Sequence, residues 1–157
     1  MRAYARTLVA FLLLGLGCAT SSMAQSARFI NFSARGLVHA GDNVLIAGFV
    51  VDRVIAVVVR ARGPSLAAAG VSGALDNPQL QVLSEGRELR RNDDWQTEYN
   101  GGCVAELAGF APPDPRESAI WMLLPPGAYT AIVSGVGGAT GVAILEVFAT
   151  SGPPPWC

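Results

Sequence analysis

The chain has 157 residues, 51% of them hydrophobic and 15% charged, with 11 basic and 12 acidic side chains and a formal net charge of −1. This hydrophobicity excludes a disordered polyelectrolyte, and the length fits one ordinary domain. All eleven basic residues are Arg, so lysine Schiff-base and lysine-nucleophile chemistry are excluded, and without a basic excess nucleic acid is not an expected partner.

The N-terminus carries Arg2 and Arg6, then the uncharged apolar run Leu8 to Gly17, then Ser22-Met23-Ala24. A positive start, a short apolar stretch and small residues at the −3 and −1 positions predict a secretory signal peptide over residues 1–24, cleaved before Gln25. The run is too short to span a membrane, which takes about 20 apolar residues. Cys18 offers lipoprotein processing as an alternative, although Gly15 stands where a leucine is expected. Removal of residues 1–24 leaves nine Arg against twelve acidic residues, a mildly acidic surface. The expected location is secreted or periplasmic, with no transmembrane segment in the mature chain.

Residues 25–150 read as strands and turns. Ile30, Phe32 and Ala34 alternate with Asn31, Ser33 and Arg35, a period of two that predicts a half-buried strand, ended by Gly36 to Asn43. Val44 to Val51 and Val54 to Val59 are apolar and β-branched, predicting two adjacent buried strands separated by Asp52-Arg53. Leu66 to Ala69 with Gly70 predicts a single helical turn with a glycine stop. Leu80 and Val82 alternate with glutamines, and Ser84-Glu85-Gly86 turns the chain into a charged arm, Arg87 to Asn92. Gln96 to Pro115 is the least regular stretch, with a short helix expected from Cys103 to Phe110. Ser118 to Leu124, Ala128 to Ser134 and Val142 to Ala149 are further strands. Gly135 to Gly141 resembles a phosphate loop in composition only, because a strand rather than a helix follows it, and is read as a flexible hairpin loop. Residues 151–157, with Pro153-Pro154-Pro155, form an extended Pro-rich tail. About eight short strands without interleaved helices predict an all-β fold, a single antiparallel β-sandwich of jelly-roll type.

Pro125-Pro126-Gly127-Ala128-Tyr129-Thr130-Ala131-Ile132-Val133 resembles the Leu-x-x-Gly-x-Tyr-x-x-x-Val hairpin of pre-peptidase C-terminal domains. Asn77 to Val82, with Gly86 and Asn92-Asp93-Asp94, is similar to the middle of those domains. From Phe29 to Phe148 the chain also resembles uncharacterised modules of exported bacterial proteins. The resemblance implies a secreted accessory β-sandwich rather than a catalyst.

Few side chains offer chemistry. His39 is the only imidazole, and no Gly-x-Ser-x-Gly occurs, so no catalytic set is assigned. Cys103, Cys157 and His39 are too few for structural zinc. Asp76, Asn92, Asp93 and Asp94 are clustered oxygen donors at the two ends of one hairpin, which suits calcium, although solvated turns favour the same residues. Trp95 and Tyr99 lie in a polar loop and are the surface candidates for stacking on a sugar, whereas Trp121 lies in an apolar strand and is expected in the core. Loss of Cys18 with the signal would leave Cys103 and Cys157 as an even pair in an oxidising compartment, predicting a disulfide. Three functions remain open: a non-catalytic secreted binding or structural module, a calcium-dependent carbohydrate- or ligand-binding module, and a hydrolase, which the residue inventory disfavours. The partner would be a protein or glycan of the envelope or extracellular space, with self-association through the N-terminal strand Ala27 to Ala34 as a further possibility.

Overall fold

The structure, a computed structural model, describes residues 31–96 and 109–150. The strands are β1 (Asn31–Val38), β2 (Leu45–Val51), β3 (Ile55–Arg62), β4 (Pro78–Ser84), β5 (Arg87–Asn92), β6 (Ser118–Leu124), β7 (Gly127–Gly135) and β8 (Gly141–Thr150), with one short helix, α1 (Pro64–Ala68). They form two four-stranded antiparallel sheets, β1-β8-β3-β6 and β2-β7-β4-β5. The all-β sandwich is the fold expected from the strand spacing.

One core lies between the sheets. β3 and β8 contribute Val57, Val59, Ala61, Leu145 and Val147, and β2, β7 and β4 answer with Phe49, Tyr129, Val133, Leu80 and Val82. Phe49 and Tyr129 stack with ring centroids 5.5 Å apart, and the Tyr129 hydroxyl donates to the Pro125 carbonyl at 2.8 Å. The tyrosine thus buries its ring while its polar end finds a main-chain acceptor.

Among the described strands, only β4 and β5 form a true hairpin. Glu85 and Gly86 both take positive φ, 51° and 75°, the backbone of a two-residue primed turn, whose twist matches that of the strands it joins. Every other described connection between consecutive strands passes from one sheet to the other.

That topology corrects three expectations. The runs Val44 to Val51 and Val54 to Val59 are not adjacent strands: β2 edges one sheet, while β3 lies inside the other. β2 accordingly alternates, with Ile46 and Val50 exposed, whereas β3 is covered on both faces at Ala56 to Val59. Gly135 to Gly141 is not a hairpin loop but an arch from β7 to β8, built on a 3₁₀ turn at Val136–Gly138 and pinned by the Val136 N–H donating to Asn77 O at 3.0 Å. β1 does not stop before Gly36 but runs to Val38. A Cβ at Gly36 would lie 2.8 Å from Leu45 Cδ1, so the bare glycine lets β2's leucine pack against β1. The expected helical turn appears as α1, closed by Gly70 at φ 85°.

Candidate functional site

The sandwich has two sides. On one, the edges β1 and β2 run past each other. On the other, the edges β5 and β6 are tied together by polar side chains, and this is where most of the candidate residues gather.

The tie begins at Asn92, the last residue of β5 and 1% exposed. Its Oδ1 accepts from the Ala119 N–H at 2.8 Å, and its Nδ2 donates to Asp94 O at 3.2 Å. Ser118 Oγ reaches the carbonyls of Pro78 and Asp93, and the Trp95 N–H donates to Glu117 O at 2.9 Å. The Asn92 and Ser118 bonds join one sheet to the other or to the segment crossing between them, and the Trp95 bond ties the two ends of that segment together.

Glu117, which the sequence reading passed over, is the most enclosed charged residue at 0% exposure. Its Oε1 accepts from Gly63 N at 2.9 Å, Ser65 N at 3.0 Å and Ser65 Oγ at 2.6 Å. The carboxylate thereby satisfies main-chain donors at the start of α1 that the helix itself cannot bond. Ser65 Oγ in turn accepts from Arg62 Nε and Nη2 at 3.0 and 2.9 Å. A lone Glu in an exposed-looking Pro-Arg-Glu-Ser segment gives no pattern by which sequence reading could find it.

The four residues expected to hold calcium are only partly brought together. Asp76 Oδ1 accepts from Arg116 Nη1 at 2.6 Å, and Asn92 is committed to main-chain partners. Asp93 and Asp94 remain side by side. Burial pushes the Asp93 carboxyl above the ordinary aspartate value, and the Asp94 charge adds to the shift. Asp93 Oδ1 is buried without a hydrogen-bond partner. Nearby, Asp114 accepts from Arg116 Nε at 3.1 Å, and that guanidinium holds the Asp114 carboxyl below its ordinary value. Among the described residues, no three His, Cys, Asp or Glu side chains are grouped to hold a metal ion.

Trp95 is not a surface residue. It is 7% exposed, packs with Val58 and Ala119 against the outer face of the β1-β8-β3-β6 sheet, and donates Nε1–H to Asp114 O at 3.2 Å. A tryptophan with its ring against valine and its N–H on a carbonyl cannot stack on a sugar in this conformation. Trp121 is half-buried and packs on the same small cluster, outside the main core where it was expected. On that face Arg60 Nε bonds Glu146 at 2.5 Å and Arg60 Nη1 donates to Phe110 O at 3.0 Å; its guanidinium lies 4.9 Å over the Phe148 ring. His39 is exposed in the β1–β2 turn, with its N–H on Asn43 O at 2.7 Å. Tyr99, Cys103, Cys157, the signal segment with Cys18 and the Pro-rich tail lie outside the described residues.

No family model and no curated protein matches the chain. Among solved structures, the chain is similar to the pre-peptidase C-terminal domain of a collagenase from Bacillus anthracis, with a TM-score of 0.47 and 13% identity over 75% of this chain and 89% of that one. By its own geometry the protein is an all-β sandwich module whose grouped polar side chains join its two sheets. Among the described residues, no helix is long and apolar enough to cross a membrane.

Proposed function

We propose that the chain is a non-catalytic exported module that binds or structures a macromolecule outside the cytoplasm. The observation that carries this reading is the commitment of its buried polar side chains: Asn92, Ser118 and Glu117 all bond main-chain groups of neighbouring elements. A buried group that already satisfies a backbone donor or acceptor is held there by the cost of leaving that partner unpaired, which makes it part of the scaffold. Export rests on the Arg2 to Ala24 pattern.

The competing hydrolase reading has one place to live, the Ser65 hydroxyl that donates to the Glu117 carboxylate at 2.6 Å. Purified protein is assayed against ester, peptide and glycoside substrates beside Ser65→Ala. The expected result is no turnover by the wild type, with the mature protein recovered from the exported fraction beginning at Gln25. Turnover that disappears in Ser65→Ala overturns the proposal.

Calcium-dependent binding is a second reading, favoured by the unpartnered buried Oδ1 of Asp93 beside Asp94. A divalent cation there would favour the ionised form of the Asp93 carboxyl, which burial first and the Asp94 charge second push upward. It predicts a melting temperature that rises with millimolar calcium in the wild type and not in Asp93→Ala. An unchanged wild-type melting temperature removes the cation from the function.

A further inference from the structure

The two sheets have four edge strands, β1, β6, β2 and β5. Natural sheets guard such edges with charge, proline or a covering segment, because each exposes unpaired main-chain groups. β5 is guarded by Arg87, Glu88, Arg90 and Arg91. β6 is covered where the Ala119 N–H is taken by Asn92, and β1 carries the exposed Arg35. β2 has none of these. Its sequence Leu-Ile-Ala-Gly-Phe-Val-Val holds no charge and no proline, and Ile46 and Val50 are 56% and 73% exposed. Among the described residues, no group outside β7 hydrogen-bonds to it.

Gly48 stands at the centre of this strand, exposed. A Cβ built on it would meet only Tyr129 O, at 3.9 Å, an ordinary contact. The fold itself therefore does not require a glycine here, although glycine in a strand interior costs about 0.5–1 kcal/mol relative to alanine. Glycine within a strand also marks the place where another backbone approaches closely.

We infer that β2 is a self-association edge, pairing antiparallel with β2 of a second copy about a two-fold axis at Gly48. The strand is self-complementary in that register. Ile46 falls opposite Val50 of the other copy and Val50 opposite its Ile46, so the exposed apolar groups cover one another. Beyond each end of the ladder, the exposed Arg53 of one copy, ion-paired at 3.3 Å to its own Asp52, comes near the exposed Asp42 of the other, so one cation and two carboxylates meet there and the charges add little to the pairing. A two-fold on β5 would set arginines against arginines, and β1 offers fewer apolar groups to cover. The second copy is favoured over a foreign strand because the exposed apolar pair Ile46 and Val50 and the bare Gly48 between them are matched to themselves under one symmetry operation, as an isologous interface requires. The contact joins the two β2-β7-β4-β5 sheets into one eight-stranded sheet. An edge contact of this length is small, which places the dimer among weak, transient associations.

The test uses the full chain in reducing buffer, which removes any cysteine-linked species, and analytical ultracentrifugation across a wide concentration range. Gly48→Lys and Gly48→Glu each place like charges face to face at the axis, and the open space at residue 48 leaves the monomer able to accommodate them. The expected result is a concentration-dependent dimer for the wild type, self-association weakened about tenfold or more in each variant, and recovery of dimer when the two variants are mixed. Circular dichroism checks folding; should either variant fail to fold, Ile46→Lys and Val50→Glu replace them as a complementary pair that meets in the same register. A monomeric wild type, a dimer indifferent to these substitutions, or a mixture that stays monomeric overturns the inference. None of these outcomes bears on whether the module is catalytic.

Discussion

Glu117 and Asp93 show how differently two carboxylates of one region behave. The Glu117 carboxylate is enclosed, and three donors converge on one of its oxygens. Glu117→Ala strands the N–H groups of Gly63 and Ser65, and each buried unpaired donor costs about 1–3 kcal/mol. We expect a loss of about 3 kcal/mol or more in urea unfolding, with Glu117→Gln, which retains an acceptor oxygen, losing clearly less. Equal losses in the two variants would show that the acceptor is not what matters. Asp93 is the opposite case. Its folded-state pKa is raised by burial and by Asp94, so the folded protein favours the protonated form. The stability this gives is fully present below the unfolded value, about 3.9, and is lost as pH rises through the folded value. At neutral pH the ionised Asp93 is therefore a burden. Asp93→Asn should raise the melting temperature at pH 7, and the gain should shrink as pH falls through the raised folded value and be gone below the unfolded value of about 4. A gain that grows toward acid pH contradicts the assignment.

The elements were legible in the sequence where side-chain period and turn chemistry act locally, and not where sheet membership decides. The β4–β5 hairpin follows from Ser84-Glu85-Gly86 between alternating strands, and the structure has it. Val44 to Val51 looks as apolar as Val54 to Val59, yet one is an edge and the other a doubly covered centre. Period cannot separate them, because an edge strand that exposes Ile46 and Val50 reads like a buried one. Trp95 was misplaced for a related reason: its neighbours Asp93, Asp94 and Gln96 are polar, and only the packing of the crossing segment onto Val58 and Ala119 reveals that its ring is buried. Glycines divide the same way. Gly63 has Leu75 O only 2.1 Å from where a Cβ would sit, and its N–H is held by Glu117, so the backbone has nowhere to go. Gly63→Ala should cost about 3 kcal/mol or more, as overpacking of a fixed interior does. Gly48→Ala, with open space around it, should leave chemical stability at low protein concentration unchanged or raised by about 0.5 kcal/mol. A Gly63→Ala midpoint no lower than that of Gly48→Ala would show that the contact at Leu75 relaxes freely.

For the whole molecule, the question is what secures the face of the β1-β8-β3-β6 sheet that points away from the core. Phe110 stacks on Phe148 with centroids 4.8 Å apart, and Arg60 bridges Glu146 and the Phe110 carbonyl across the same surface. This places the described end of the segment leading back toward Cys103 against the last turns of side chains on β8, from which the chain continues toward Cys157. Cys103 is seven residues before Phe110 and Cys157 nine after Phe148, and an extended chain reaches roughly 3.3 Å per residue, so chain length permits the two cysteines to meet. Export would remove Cys18 and expose the remaining pair to an oxidising compartment, where such pairs are bridged. We therefore expect a disulfide between Cys103 and Cys157 in the mature protein. The loop closed is about 55 residues long, for which chain entropy gives roughly 4 kcal/mol at most. The realised gain should be smaller, since the two four-stranded sheets of the described residues are paired without any contribution from the bridge. Reduction should lower the melting temperature by a few degrees without unfolding the sandwich, and it should increase proteolysis within residues 97–108 first. Non-reducing mass spectrometry of the exported protein should find a mass lower by two hydrogens and a peptide linking the two residues. Two free thiols, or a reducible dimer through Cys157, would rule the bridge out.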